Sequence, residues 1–438
     1  MNPELLRNLW LELTPRRVTQ MAVVLALILL TVNVSWSPWI GTAAEYLFYA
    51  TVVVWGTRDA AQSVVGEIRE RTWDSQRLSA LTPFEMTVGK LLGATSYVWF
   101  GGLICLSVVI AAELRDGYPG VWQHLLYFLA MGLLSQAVAL FASLIAVRRR
   151  QTRTRFNVFQ YQAAGLAAGY AAWLGWRDVS SLTWWGMNID GQTFYLASLG
   201  IFLAWTLIGC YRLMRLELQV QNHPTIWLAF ILFMAAYMAG FESFPLLALV
   251  PPFADVLTFR LAAANATLAL LTYVAVLFEP KDRVLYRWLG EMLAKGRSGA
   301  VLSRLQCWMI AYAAAMISGV MLAYHLGAIG MPTPALLTAP MVVAGMGFLT
   351  RDLGVFLFFG LAPAQKRGDM PAVITLALLY LVLPRLLGAA GLAEPAILFY
   401  PMPGAGWIGA VYAWVQAIAI WGLVVTLRSK QTAALPQT

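Results

Sequence analysis

The chain has 438 residues, of which 60% are hydrophobic and 12% charged, with a mean hydropathy of +0.69. That composition excludes a soluble globular protein and marks a polytopic membrane protein. The formal charge of +9 does not point to nucleic acid, because the basic residues sit in short stretches between apolar runs, where membrane orientation accounts for them.

In chain order, residues 2–20 place Leu5, Leu6, Leu9, Trp10 and Leu13 on one helical face beside Arg16 and Arg17, the pattern of an interfacial helix on the cytoplasmic leaflet. The first apolar run lacks a small-residue cleavage site, so it is expected to stay as an anchor. Spans are predicted at 18–36 and 43–65. A polar interruption follows at 66–90, GEIRERTWDSQRLSALTPFEMTVGK, and the rest of the chain reads as membrane built around it. Glu67, Glu70, Arg71, Asp74 and Arg77 recur three or four residues apart, which puts them on one face of a helix, with Glu67 four residues before Arg71. Thr82-Pro83-Phe84-Glu85 is a capping box with proline in the first turn, so a new helix is predicted to start there.

Further spans are predicted at 91–112, 121–147, 158–176 and 193–211. Arg148, Arg149, Arg150, Arg153 and Arg155 form the strongest inside marker, and Trp184-Trp185 reads as an interfacial belt. Six more spans are expected at 224–241, 254–278, 306–326, 335–359, 372–389 and 406–427, about twelve in all, with both termini inside by the positive-inside rule.

The order Glu67, Arg69-Glu70-Arg71-Thr72, Leu78, Leu81-Thr82-Pro83 and Gly89-Lys90 between two spans resembles the intracellular loop of the type-2 ABC exporter permeases. The resemblance covers roughly residues 1–220, and Trp73-Asp74 stands where a small pair such as Gly-Thr is more usual in that family. It implies that the loop is a coupling helix docking on a separate ATP-binding subunit, with Glu67, Arg69, Glu70, Arg71, Thr72, Trp73, Asp74, Arg77, Thr82, Pro83 and Lys90 as coupling residues. It also implies that ATP and magnesium bind in that partner rather than in this chain, and that the chain resides in a bacterial inner membrane. The plain alternative is an inner loop charged only for solvation.

Residues 1–220 and 221–438 are read as two six-span halves. Ala204-Trp205 through Arg212 resembles Ile420-Trp421 through Arg428 at an offset of 216, although a competing register pairs Thr57-Arg58-Asp59 with Thr350-Arg351-Asp352. A six-plus-six repeat would let one chain build both halves of a pore, with two copies of the ATPase. The segment 279–304 would be a second, degenerate coupling element or a basic interfacial helix.

Arg58, Asp59, Arg260, Arg351 and Asp352 lie in or near apolar stretches, where ionisable groups must face protein or water. They are expected either to line a path or to form buried ion pairs. Neighbours on a helix point about 100° apart, so partners on other helices are expected. Cys105, Cys210 and Cys307 have no paired spacing, and His124, His223 and His325 stand apart in sequence from one another and from acidic clusters, so neither disulfides nor a metal site is expected. No Gly-x4-Gly-Lys-Ser/Thr loop occurs, nor any GxSxG, HExxH or paired-Cys motif, so an ATPase driving transport is expected to be another polypeptide, and the resemblance implies a permease and not an enzyme. The rival expectations are a proton-coupled secondary transporter, for which no acidic residue sits clearly mid-span, and a membrane-embedded lipid or glycan transferase or assembly factor. The exported substrate is not specified by these features.

Overall fold

The computed structural model describes residues 2–35, 37–79, 81–148, 157–177, 181–241, 255–329, 337–361, 369–391, 399–401 and 405–433. Within them the chain is almost wholly helical, and nine helices are long and apolar enough to cross a membrane, which makes it an all-α multi-pass membrane protein. The exception is a short hairpin of Ser181–Trp184 (β1) and Met187–Asp190 (β2). Two compact units form: Met1–Leu182 with Asn188–Asn222, and Thr183–Met187 with His223–Thr438. Of the basic inside marker, only Arg148 falls within the described residues.

The first unit contains α1 (Pro3–Glu12), α2 (Pro15–Ser35), α3 (Ile40–Phe48), α4 (Gly56–Arg69), α5 (Trp73–Arg77), α6 (Pro83–Val88), α7 (Ser96–Arg115), α8 (Val121–Arg148), α9 (Asn157–Arg177) and α10 (Gly191–Glu217). Asn2 caps α1, its Oδ1 accepting from the backbone N–H groups of Glu4 and Leu5 at 3.1 Å, with Pro3 in the first turn. A π-helical stretch, Tyr49–Trp55, joins α3 to α4, so residues 40–69 stay helical without a break. Such a stretch opens the i to i−4 ladder and frees carbonyls. Here the Val52 carbonyl accepts from Gln136 Nε2 at 2.9 Å, the Val54 carbonyl from Gln162 Nε2 at 3.0 Å, and the Val53 carbonyl from Thr57 Oγ1 at 2.6 Å. Gln136 is fully buried and also accepts from the Trp99 indole at 2.8 Å, so α8 locks the widened turn. Close approach of α9 needs Gly165, where a Cβ would come within 2.5 Å of the Ser135 carbonyl oxygen.

The second unit contains α11 (Thr225–Ala239), α12 (Val256–Phe278), α13 (Arg283–Ala294), α14 (Ser298–Ser303), α15 (Cys307–Ile329), α16 (Ala339–Leu361), α17 (Asp369–Ala377), α18 (Leu383–Ala389) and α19 (Gly406–Ala433). The central helix is α16, which packs against α12, α15, α17 and α19 and is the most enclosed of the nine long apolar helices. It meets α19 at Gly347 and Gly354, where a Cβ would lie 2.9 Å from Ala413 Cβ and 2.7 Å from Ile420 Cγ2. The amphipathic helix expected within 279–304 forms as α13, capped by Asp282, whose Oδ1 accepts from Val284 N at 2.9 Å. Glu279 turns back to accept from the backbone N–H groups of Cys307 and Trp308 at the start of α15.

Candidate functional site

The stretch 67–77, expected as one helix, is instead the end of α4 followed by the separate α5. α4 ends where Arg71 adopts a left-handed backbone (φ 61°), with Thr72 N donating to Glu67 O at 2.9 Å and Arg71 N to Ile68 O at 3.3 Å. This is the six-to-one and five-to-two pairing that closes a helix, here with arginine where glycine is usual. The expected single face of Glu67, Glu70, Arg71, Asp74 and Arg77 therefore does not form, because the axis changes between Glu70 and Trp73. The capping box does form: Glu85 N donates to Thr82 Oγ1 at 3.2 Å, and Glu85 Oε2 accepts from Thr82 N at 2.9 Å.

The break sorts the candidate residues into an inner and an outer set. Lys90 is 1% exposed, so it cannot touch a docking partner. It lies in a second π-helical stretch, Gly89–Gly93, and its ammonium donates to Glu4 Oε1 at 3.2 Å, to Gln76 Oε1 at 3.0 Å and to Glu67 Oε2. Gln76 Nε2 returns a 2.6 Å bond to Glu67 Oε1, Arg7 bridges Glu4 and Glu67, and the Trp73 ring lies 5.5 Å from the ammonium. Four partners around one buried cation satisfy it, the condition under which a buried charge is tolerated. Arg77 also turns inward, donating through Nε to the Glu217 carbonyl at the end of α10, where a cation complements the helix dipole.

The outer set is Arg69, Glu70, Arg71, Thr72 and Asp74, all exposed, together with Thr82; Pro83 is half-buried. Leu78, 89% exposed, and Phe84, 65% exposed, add apolar contacts to this rim.

The base of the loop is held by the polar face of α1. Glu4 and Asn8 face Gly89 and Gly93, whose added Cβ atoms would lie 2.5 Å from Glu4 Cγ and 2.7 Å from Asn8 Cβ, while Trp10 and Leu11 point outward. Asn8 Nδ2 donates to the Gly89 carbonyl at 3.2 Å and Asn2 Nδ2 to the Glu85 carbonyl at 2.8 Å. The sequence reading missed Glu4, Asn8 and Gln76. The available signal was Gly89-x3-Gly93 together with a polar i, i+4 pair, Glu4 and Asn8, on one face of an amphipathic helix.

Of the charges in apolar stretches, Arg58 is exposed and Asp59 half-buried. Arg351 and Asp352 pair with each other, Nε to Oδ1 at 2.9 Å, the long arginine side chain covering the angular gap, in addition to the expected partners on other helices. Asp352 Oδ2 accepts from the hydroxyls of Tyr273 and Tyr380, both at 2.7 Å, and Arg351 donates to Gln416 Oε1 at 2.9 Å. Its guanidinium lies 4.7 Å from the Phe348 ring centre and 4.9 Å from that of Tyr380. Asp352 stands midway along α16 and is 1% exposed, so an acidic residue does occupy a mid-helix position, contrary to the sequence reading. Arg260 stacks over Trp185 at 4.8 Å.

Two histidines also depart from expectation. His124 Nδ1 meets Glu113 Oε1, and His325 Nε2 lies 3.3 Å from Asp255 Oδ2 and 3.1 Å from Thr258 Oγ1. Asp255 caps α12, and its carboxyl is held below the usual range mainly by the Thr258 hydroxyl.

No family model matches the chain, and neither a curated protein nor a solved structure matches it.

Proposed function

We propose that the chain is the membrane-spanning permease of an ATP-driven exporter of the type-2 ABC class, coupling a separate ATP-binding subunit to movement of its substrate. One observation carries this reading: a polar tip, Glu70, Arg71, Thr72 and Asp74, stands exposed on a loop whose base ties α4 and α1, through Glu67 and Glu4, to Lys90 in the π-helical stretch ahead of α7. A tip that reads a partner must be accessible, and a base that passes on its motion must be stiff. The buried ion network supplies the stiffness. Closure of the ATPase shifts α5, and the Lys90 and Glu67 contacts carry that shift to the start of α7 and the end of α4.

On this reading the nine long helices are joined by 40–69, Asn157–Arg177 and Thr225–Ala239 to make twelve spans, six in each unit. One chain then builds both halves of the pore, and both termini face the cytoplasm of a bacterial cell. The segment containing α13 and α14 occupies the second coupling position. ATP and magnesium belong to the partner, in two copies per chain.

The test is purification of the tagged full chain from its own host in mild detergent, with mass spectrometry of stoichiometric partners, for wild type and for Glu70→Ala/Arg71→Ala. A P-loop ATPase that is lost in the double variant supports the reading. Its absence, or its retention by the variant, sinks it.

A second reading rests on Asp352. A buried carboxylate midway along an enclosed helix is a residue type that secondary transporters use to carry protons. Against it, the carboxylate is already filled by Arg351, Tyr273 and Tyr380. Transport that survives ATP depletion and collapses with the proton gradient favours this alternative.

A further inference from the structure

The end of the first unit opposite the coupling loop holds three potential metal ligands from three helices: Glu45 of α3, Glu113 in the last turn of α7 and His124 in the first turn of α8. One ligand atom from each lies within 4.8 Å of the other two. We propose that these residues form a binding site for one divalent transition-metal ion of the zinc class.

A zinc ion stands about 2.0–2.2 Å from imidazole nitrogen and carboxylate oxygen, so its ligand atoms are at most roughly 4.4 Å apart. Small side-chain rotations bring the three atoms onto one ion. Glu113 contributes a feature that its pairing with His124 leaves unexplained: Oε1 meets the imidazole, while Oε2 is buried with no hydrogen-bond partner. Buried carboxylate oxygens are normally satisfied, and a metal ion would satisfy this one. Arg115, two residues on, does not do so, because its side chain is engaged with Asp116 at 2.8 Å.

The imidazole is held in place before any ion arrives. The Trp176 ring lies parallel to it, 5.7 Å between centres and 2° between planes, and the Tyr127 ring lies 5.8 Å away at 15°. Phe128 approaches to 4.7 Å. Fixed ring orientation is what ligand geometry requires of its surroundings. Beside the cluster a cavity of about 270 Å³ is lined by Glu45, Tyr46, Tyr49, Phe128, Tyr170 and Trp173. It gives an entry path and leaves room for water or a substrate group in the position that three protein ligands leave open.

The site is tested on the full chain in detergent, stripped with EDTA and titrated with Zn²⁺ by calorimetry, and with Co²⁺ as an absorbing probe. One ion per chain is expected, with affinity at least tenfold lower in Glu113→Gln and in His124→Ala and unchanged in His325→Ala. Glu45→Gln, on the cavity side, provides an independent reading if the other two fail to fold, and tenfold weakening is again expected. Absence of stoichiometric binding overturns the proposal, as does binding that Glu45→Gln and Glu113→Gln leave intact. Saturable quenching of tryptophan fluorescence by tetramethylammonium, with no metal bound, would also overturn it and assign the cavity to an organic cation.

Discussion

Lys90 Nζ and Glu4 Oε1 lie 3.2 Å apart although 86 residues separate them, and both side chains are almost wholly buried. An ion pair so enclosed returns little net stability against an apolar replacement of both partners, yet removal of one partner strands the other. The pair, with Glu67 and Gln76, therefore specifies how α1, α4, α5 and the start of α7 meet, more than it adds to stability.

Lys90→Met takes the buried cation from Glu4 and Glu67, which keep only the exposed Arg7 and the amides of Asn8 and Gln76, without opening a cavity. We expect a loss of about 3–5 kcal/mol, read as a lower thermal midpoint in detergent and as faster proteolysis of the N-terminal helix. Combining Lys90→Met with Glu4→Leu and Glu67→Leu should recover much of that loss. If the triple variant is no more stable than the single one, the network is not the unit described here.

Arg71 separates backbone from charge. In a left-handed conformation a Cβ costs roughly 1–2 kcal/mol, so Arg71→Gly should leave the thermal midpoint unchanged or raise it. If the guanidinium reads the ATPase, the same variant should lower partner retention and transport. Full transport by a stable Arg71→Gly protein would remove Arg71 from the docking face.

The capping box, the amphipathic α1 and the helix within 279–304 were legible because each rests on residues within a turn or two of one another. The loop's single face was not, since periodicity counts positions and cannot register one residue entering the left-handed region. Lys90, Glu67 and Arg77 read as surface charges because a polar run in an apolar chain suggests solvation; Lys90 is buried and the other two half-buried because of Glu4, Gln76 and the Glu217 carbonyl, which only the fold brings near. His124 and Glu113 straddle a turn, and Glu45 lies on a different helix, so no local spacing announces their meeting.

The Thr82 cap should leave a pH signature. The backbone N–H and hydroxyl of Thr82 donate to the Glu85 carboxylate and hold its pKa below the usual value. The folded-state value being the lower one, this contribution is complete above the unfolded carboxylate's pKa of about 4.3 and is lost as pH falls through the depressed folded value. The thermal midpoint of wild type minus that of Glu85→Gln should thus be largest near neutrality and shrink in acid. A difference that is flat or grows on acidification would count against the cap.

If the chain is a permease, Asp352 decides between a structural and a path role for the charges of α16. As a structural partner, Asp352→Asn leaves Arg351 buried without its counter-charge and should cost about 3–5 kcal/mol, with transport falling only as far as folded protein falls. Arg351→Met combined with Asp352→Leu should then be less destabilised than either single variant, because apolar replacement of both removes the stranded charge. The two residues touch, so the stability changes should depart from additivity by about 0.5–3 kcal/mol. As a path residue, Asp352 gives a different result: the double variant would fold and reach the membrane, yet transport by the folded fraction would be abolished. Transport assayed in vesicles, normalised to folded protein, separates the two. Retained transport in a stable double variant would leave Arg351 and Asp352 as the pair that fixes α16 among Tyr273, Tyr380 and Gln416.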